Sequence, residues 1–100
     1  MRPTTSHYVY STTSAEAEAA LECGPGALAY LVTQGLLAAR VRTRPFPEWA
    51  NVQFDTASVW ALKDLPGELA RARAAAPLYR TGEVARASAL GSLLATLKLV

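Results

Sequence analysis

The sequence predicts a mainly α-helical protein with one small β-hairpin. Three observations carry that expectation. Apolar residues recur at helical spacing through most of the chain, one stretch alternates as a half-buried strand does, and Pro and Gly fall where helices start and stop. The chain has 100 residues, of which 51% are apolar and 18% charged, a balance that suits one globular unit rather than disorder.

The elements follow in order. HYVYSTT is short and β-prone, and the hydroxyls of Ser11 to Ser14 are candidate helix caps. SAEAEAALEC reads as a helix with Ser14 as N-cap, Glu16 and Glu18 near its positive end, and Ala17, Ala20, Leu21 and Cys23 as an apolar stripe. After the break at Gly24, Pro25 suits the first turn of a second helix, in which Leu28, Leu31 and Val32 share one face. Gly35 is placed to end that helix in a left-handed cap.

In LLAARVR, Ala39 and Val41 alternate with Arg40 and Arg42, which predicts a strand with a basic outer face. Pro45 and Pro47 interrupt it, and VQF resumes strand character, so the pair forms a hairpin with Arg44, Phe46 and Trp49 at its tip. Asp55 or Thr56 caps a third helix carrying Val59, Trp60 and Leu62, with Trp60 either in the core or at a subunit interface. Pro66-Gly67 ends this helix, ELARARAAA forms another, and Thr81 caps GEVARASALGSLLATL. Leu90, Leu93, Leu94 and Leu97 give this last helix an apolar face that wants a partner, either a second subunit or the N-terminal half.

Composition excludes several functions. No apolar run approaches the ~18 residues a membrane span requires. The first residues contain no apolar signal segment, so a cytoplasmic protein is expected. Cys23 is the single cysteine and reads as a small buried hydrophobe. His7 is the single histidine and has no second ligand at useful spacing. Neither metal, cofactor nor catalytic residues are expected, and the protein does not read as an enzyme.

The net charge of +2 hides an uneven distribution. Residues 1–39 carry Arg2 as their one basic side chain, whereas Arg40, Arg42 and Arg44 follow within five residues and with no acid among them. A second basic group, Arg71, Arg73, Arg80 and Arg86, is interleaved with Glu68 and Glu83. The first cluster has the character of a phosphate-binding footprint.

Helix, tight turn, glycine-closed helix, basic hairpin and Asp- or Thr-capped helix is the plan of a winged helix-turn-helix. On AEAEAALECGPGALAYLVTQGLLAARVR and VQFDTASVWAL, roughly residues 10–63, the chain resembles the MerR and excisionase superfamily. It is also similar to the N-terminal domain of lambda-type terminase small subunits. The resemblance implies a winged helix-turn-helix domain over residues 8–65, with residues 66–100 as a helical extension for oligomerisation. It departs from the superfamily where the second helix usually carries Thr and Arg: here stand Ala27, Ala29 and Tyr30.

The expected function is therefore that of a small DNA-binding protein, acting in transcription regulation, excision or phage DNA handling. Its expected partners are double-stranded DNA and a second copy in a homodimer. Arg40, Arg42 and Arg44 would meet phosphates or the minor groove, the alternative being a charged edge that resists aggregation. Tyr30, Thr33 and Gln34 are the donors and acceptors the second helix offers to bases. Phe46 and Trp49 would stack on a base or anchor a protein partner, unless they fold back onto the core. The competing function is an adaptor or inhibitor that keeps the fold, has lost DNA binding and docks on another protein. LYRTGEVARASAL echoes the opening of a second helix-turn-helix, or is simply a capped helix.

Overall fold

A computed structural model describes residues 8–76 and 82–99. The protein is mainly α-helical with a three-stranded antiparallel sheet. The order is β1 (Thr12–Thr13), α1 (Ser14–Leu21), α2 (Pro25–Thr33), β2 (Ala39–Val41), β3 (Val52–Phe54), α3 (Thr56–Lys63), α4 (Pro66–Ala75) and α5 (Gly82–Thr96). A 3-10 turn, Trp49–Asn51, precedes β3.

The hairpin forms as its alternation predicts, with Arg40 opposite Gln53 and Val41 opposite Val52. It is not alone: β1 joins the free edge of β3, giving the order β1-β3-β2. Ala39, Val52 and Phe54 lie on the core side and Arg40 on the outer side, as the two-residue period of a strand requires.

Helix α1 starts one residue earlier than expected. Thr13, not Ser14, is the N-cap: its Oγ1 accepts from the Glu16 N–H at 3.1 Å, and Glu16 Oε1 accepts from the Thr13 N–H at 2.9 Å. This reciprocal pair is a capping box, and Ser14 is buried as the first helical residue. The α1 C-terminus is also tied down. Glu22 adopts a left-handed conformation (φ 51°), unusual for a residue with a Cβ. The Arg73 guanidinium of α4 donates to the carbonyls of Leu21 at 2.8 Å and Glu22 at 3.1 Å. It supplies charge-assisted donors to a helix end that otherwise lacks them.

Helix α2 occupies the centre. Pro25 opens it, and its end is a Schellman motif around Gly35 (φ 77°). Leu36 N–H donates to Leu31 O and Gly35 N–H to Val32 O, both at 3.0 Å. Two neighbours enclose it: α5 makes the most extensive contacts with α2, followed by α4. Pro25, Ala27, Leu28, Ala29, Leu31 and Val32 are all buried.

Three expectations need correction here. Leu93 is buried in the core cluster that includes α2 and Leu90 packs against it, so the partner of this face is the N-terminal half, the other alternative; Leu94 is buried as well. Leu97, at the end of that face, is half-buried. Helices α4 and α5 are consequently no separate appendage: one apolar cluster runs from Ala17 to Leu93. Trp60 is 61% exposed on α3, with the Lys63 ammonium 4.3 Å from its ring centroid, and does not belong to the core. Pro66 begins α4 as its first helical residue instead of merely ending α3. Thr81 as a cap, Arg80 and the start of LYRTGEVARASAL lie outside the described residues.

Because α5 completes the core, truncating its buried anchor should weaken the whole protein. Leu93→Ala is expected to cost about 2–5 kcal/mol in urea unfolding. Deleting residues 82–100 should unfold residues 8–65 as well. A deletion variant that keeps native near-ultraviolet circular dichroism would show instead that the N-terminal unit stands alone.

Candidate nucleic-acid interface

The absence of Lys and Arg from α2 has a packing cause. Ala27 and Ala29, which stand where the resembling superfamily carries polar residues, are 2% and 4% exposed. The side formed by Gly26, Ala29, Tyr30 and Thr33 faces Ala85, Ser88, Ala89 and Ser92 of α5, and among the described residues a cleft of about 270 Å3 lies between them. Small side chains on both helices leave this cleft between them. Arg at these positions would bring an unpaired charge into the helix contact.

The three base-reading candidates on α2 are therefore placed unequally. Tyr30 is half-buried and packs against the core. Thr33 is exposed, but its hydroxyl donates back to Ala29 O at 3.0 Å and lies 3.3 Å from the Thr96 hydroxyl of α5. Gln34 is exposed just past the helix end. The N-terminal half of α2, the part a helix-turn-helix presents to bases, is enclosed.

The hairpin arginines are all exposed. Arg40 is held in place: its Nε donates to Gln53 Oε1 at 3.0 Å, and its guanidinium lies 5.2 Å from the Tyr10 ring centroid. That pairing is a cation–π contact with one cross-strand hydrogen bond, both across the outer face of the sheet. The Arg42 N–H donates to Asn51 O at 3.3 Å, carrying the hairpin pairing one residue beyond β2. Among the described residues, Arg42 and Arg44 enter no ion pair. The acid in this loop, Glu48, accepts from Asn51 Nδ2 at 3.4 Å.

No protein-family profile, curated protein or solved structure matches the chain. What the site can do rests on its own geometry.

Phe46 and Trp49, expected together at the tip, separate. Phe46 is 56% exposed, whereas Trp49 is buried. The Trp49 indole N–H donates to Glu18 Oε2 at 2.9 Å and its ring meets Phe54 edge-on at 6.2 Å, so it locks the hairpin base to α1. Trp49 is therefore a core residue and not a partner anchor. Of the second basic group, among the described residues, Arg73 caps α1 and exposed Arg71 pairs with Glu68 at 3.4 Å.

Sequence reasoning passed over Tyr8, Tyr10 and Gln53. Tyr8 and Tyr10 meet edge-on with ring centroids 5.8 Å apart, and Tyr10 reaches Arg40. Their i, i+2 spacing beside a strand was the available signal. Burial raises the Tyr10 phenol above its usual range, with Tyr8 and Asp55 adding to the effect and Arg40 opposing it.

Asp55 fixes this aromatic arm to the domain. Its Oδ1 accepts from the Val9 N–H at 2.8 Å, and its Oδ2 accepts from the Ser58 N–H at 3.0 Å and hydroxyl at 2.7 Å. It is thus the N-cap of α3, while its own N–H donates to Ala38 O at 2.9 Å. Thr56 adds a hydroxyl pair to Ser11 and another to Thr12, both at 2.8 Å.

Cys23 is tuned without being reactive. Burial pushes the Cys23 thiol up to about 11, Arg73 opposing and Glu18 adding to it, so Cys23 is a poor nucleophile at neutral pH. Among the described residues no three His, Cys, Asp or Glu side chains gather as a metal site, and no helix is long and apolar enough to cross a membrane.

Burial opposes ionisation of Asp55, but the hydrogen bonds from Val9 and Ser58 outweigh it and hold its carboxyl below the ordinary value. A depressed folded pKa stabilises above the unfolded value of about 4 and ceases to as pH falls through the folded one. Asp55→Ala is expected to lose about 1–2 kcal/mol at pH 7, a cost that shrinks as the pH is lowered towards 2. Urea midpoints at pH 7 and pH 2.5 check this; an equal loss at both would remove the carboxylate's charge from the account.

Proposed function

We propose that the protein binds nucleic acid through the arginines of its hairpin, with the α1–turn–α2 unit, hairpin and α3 forming a winged helix-turn-helix. Arg40, Arg42 and Arg44 are the phosphate-contacting residues. The observation that carries this reading is the exposure of three arginines within five residues, none in an ion pair among the described residues. Phosphates supply most of the free energy of non-specific nucleic-acid binding, and exposed arginines suit that work.

The enclosure of α2 shapes the proposal. With its N-terminal half against α4 and α5, α2 acts as scaffold, and Thr33 and Gln34 are the side chains left to touch a base edge. Contact through a wing alone gives weak sequence preference, as suits a protein that works on DNA beside a more specific partner in regulation, excision or packaging. One copy is the binding unit proposed, since the α5 leucines expected to make a dimer serve the protein's own core.

A second reading also has an observation in its favour. A covered α2 together with exposed Phe46 and Trp60 suits an adaptor that docks on another protein. The two readings separate on the arginines, which a hydrophobic docking surface does not need.

Fluorescence anisotropy on a 20-base-pair duplex across a salt series tests the proposal. Three phosphate contacts from one copy give a log–log salt slope of about −2.7. The triple variant Arg40→Ala, Arg42→Ala, Arg44→Ala should lose that binding while keeping its circular dichroism. Absence of binding at low salt by folded wild-type protein would favour the adaptor.

A further inference from the structure

The outer face of the sheet carries more than charge. On β2 and β3 it presents Arg40 and Gln53, paired across the ladder, and Tyr10 lies against the same guanidinium. Tyr8 extends this row, 38% exposed and edge-on to Tyr10. Two aromatic rings, a planar cation and an amide thus lie in one row, and Arg42 and Arg44 follow Arg40 toward the hairpin tip. Three acids of the adjoining elements are hydrogen-bonded: Asp55 is buried and accepts from Val9 and Ser58, Glu16 closes the α1 capping box, and Glu48 accepts from Asn51.

We infer that this face is a stacking platform for unpaired bases, so that the preferred ligand of the arginine hairpin is single-stranded nucleic acid. The inference rests on the reading of the hairpin as a phosphate-binding site and narrows its ligand. The chemistry is that of strands whose bases are free of a partner. Ring and guanidinium planes accept bases by stacking, and neighbouring cations follow the backbone. A duplex hides its base faces and offers this surface its phosphates alone. Asp55 and the Thr56 hydroxyl contacts fix residues 9–12 to α3, so much of the platform is ordered before a strand arrives.

Gln53 contributes in two ways. Its Oε1 orients Arg40, and its amide nitrogen is a donor beside the stacked surface. Gln53 is positioned by strand pairing and Tyr10 by the Asp55 anchor on neighbouring Val9, whereas Tyr8 precedes that anchor. Tyr8 is accordingly the substitution least able to disturb folding.

The test compares dT15, rU15 and a 15-base-pair duplex by anisotropy at one fixed salt concentration. Proteins compared are wild type, Tyr8→Leu, Tyr10→Leu, Tyr10→Phe and the triple arginine variant, each checked by circular dichroism. Wild type should bind at least one of the single strands more tightly than the duplex, and the tighter of dT15 and rU15 identifies the source. Each Leu variant should lose about fivefold or more on the single strand, the lower end of what one stacked base contributes. Duplex binding should be unchanged in Tyr8→Leu and fall less than single-strand binding in Tyr10→Leu, because the Tyr10 ring also holds Arg40. Tyr10→Phe should retain wild-type affinity, because a ring suffices for stacking. Equal affinity for strand and duplex, or Leu variants indistinguishable from wild type, would overturn the platform while leaving the arginine hairpin standing. Failure of all three ligands to bind would remove both.

Discussion

The packing of α2 between α4 and α5 is the constraint on which the rest of the molecule depends. Six of its nine residues are buried, and the side that would otherwise meet solvent faces Ala85 and Ala89. A helix enclosed in this way tolerates neither charge nor bulk, which accounts for PGALAYLVT. Its ends are fixed as firmly as its sides: Pro25 starts it, and the Schellman bonds around Gly35 stop it where the chain must turn into β2. The hairpin then departs at a defined angle, with Trp49 pinned to Glu18 at its base.

Burial and binding are thereby assigned to different elements. In the proposed reading, α2 supplies rigidity, and contact with a ligand falls to the sheet's outer face and the arginines beyond it. The polar tethers follow the same division. Asp55 and Arg73 each join segments more than forty residues apart, and each satisfies backbone groups that would otherwise lack partners. A small protein gains much from such links, because its apolar core alone leaves little margin.

How much of this was legible in the sequence depended on range. Pro25, Gly35 and Asp55 act through the two to five residues beside them, so their roles could be read directly. The alternation of Ala39, Arg40 and Val41 fixed which side of the hairpin is basic, because register in a strand is a local property. The Thr13 cap was ambiguous among several adjacent hydroxyls, and the capping box with Glu16 decided it. By contrast, the leucines of α5 announced an apolar face without saying what it covers, since helical periodicity names no partner. For the same reason the alternatives for Trp49 and Trp60 could not be decided: Trp49 takes the fold-back that stood beside its docking role, and Trp60 is exposed and leaves the core. Nothing near Trp49 in sequence shows that Glu18 will accept its N–H, and the Tyr10–Arg40–Gln53 row exists through the union of three strands.

Amide hydrogen exchange of α2 in the folded protein, measured across sub-denaturing urea, tests the central claim most directly. If α2 is the enclosed core helix, the amides of Leu28 to Val32 exchange through global unfolding alone, with the free energy and urea dependence of the whole protein, and α5 shows the same class. Exchange of these amides through a low-energy opening of α5, well short of global unfolding, would contradict it. That result would make α5 a detachable cover and return α2 to consideration as a surface that meets a ligand.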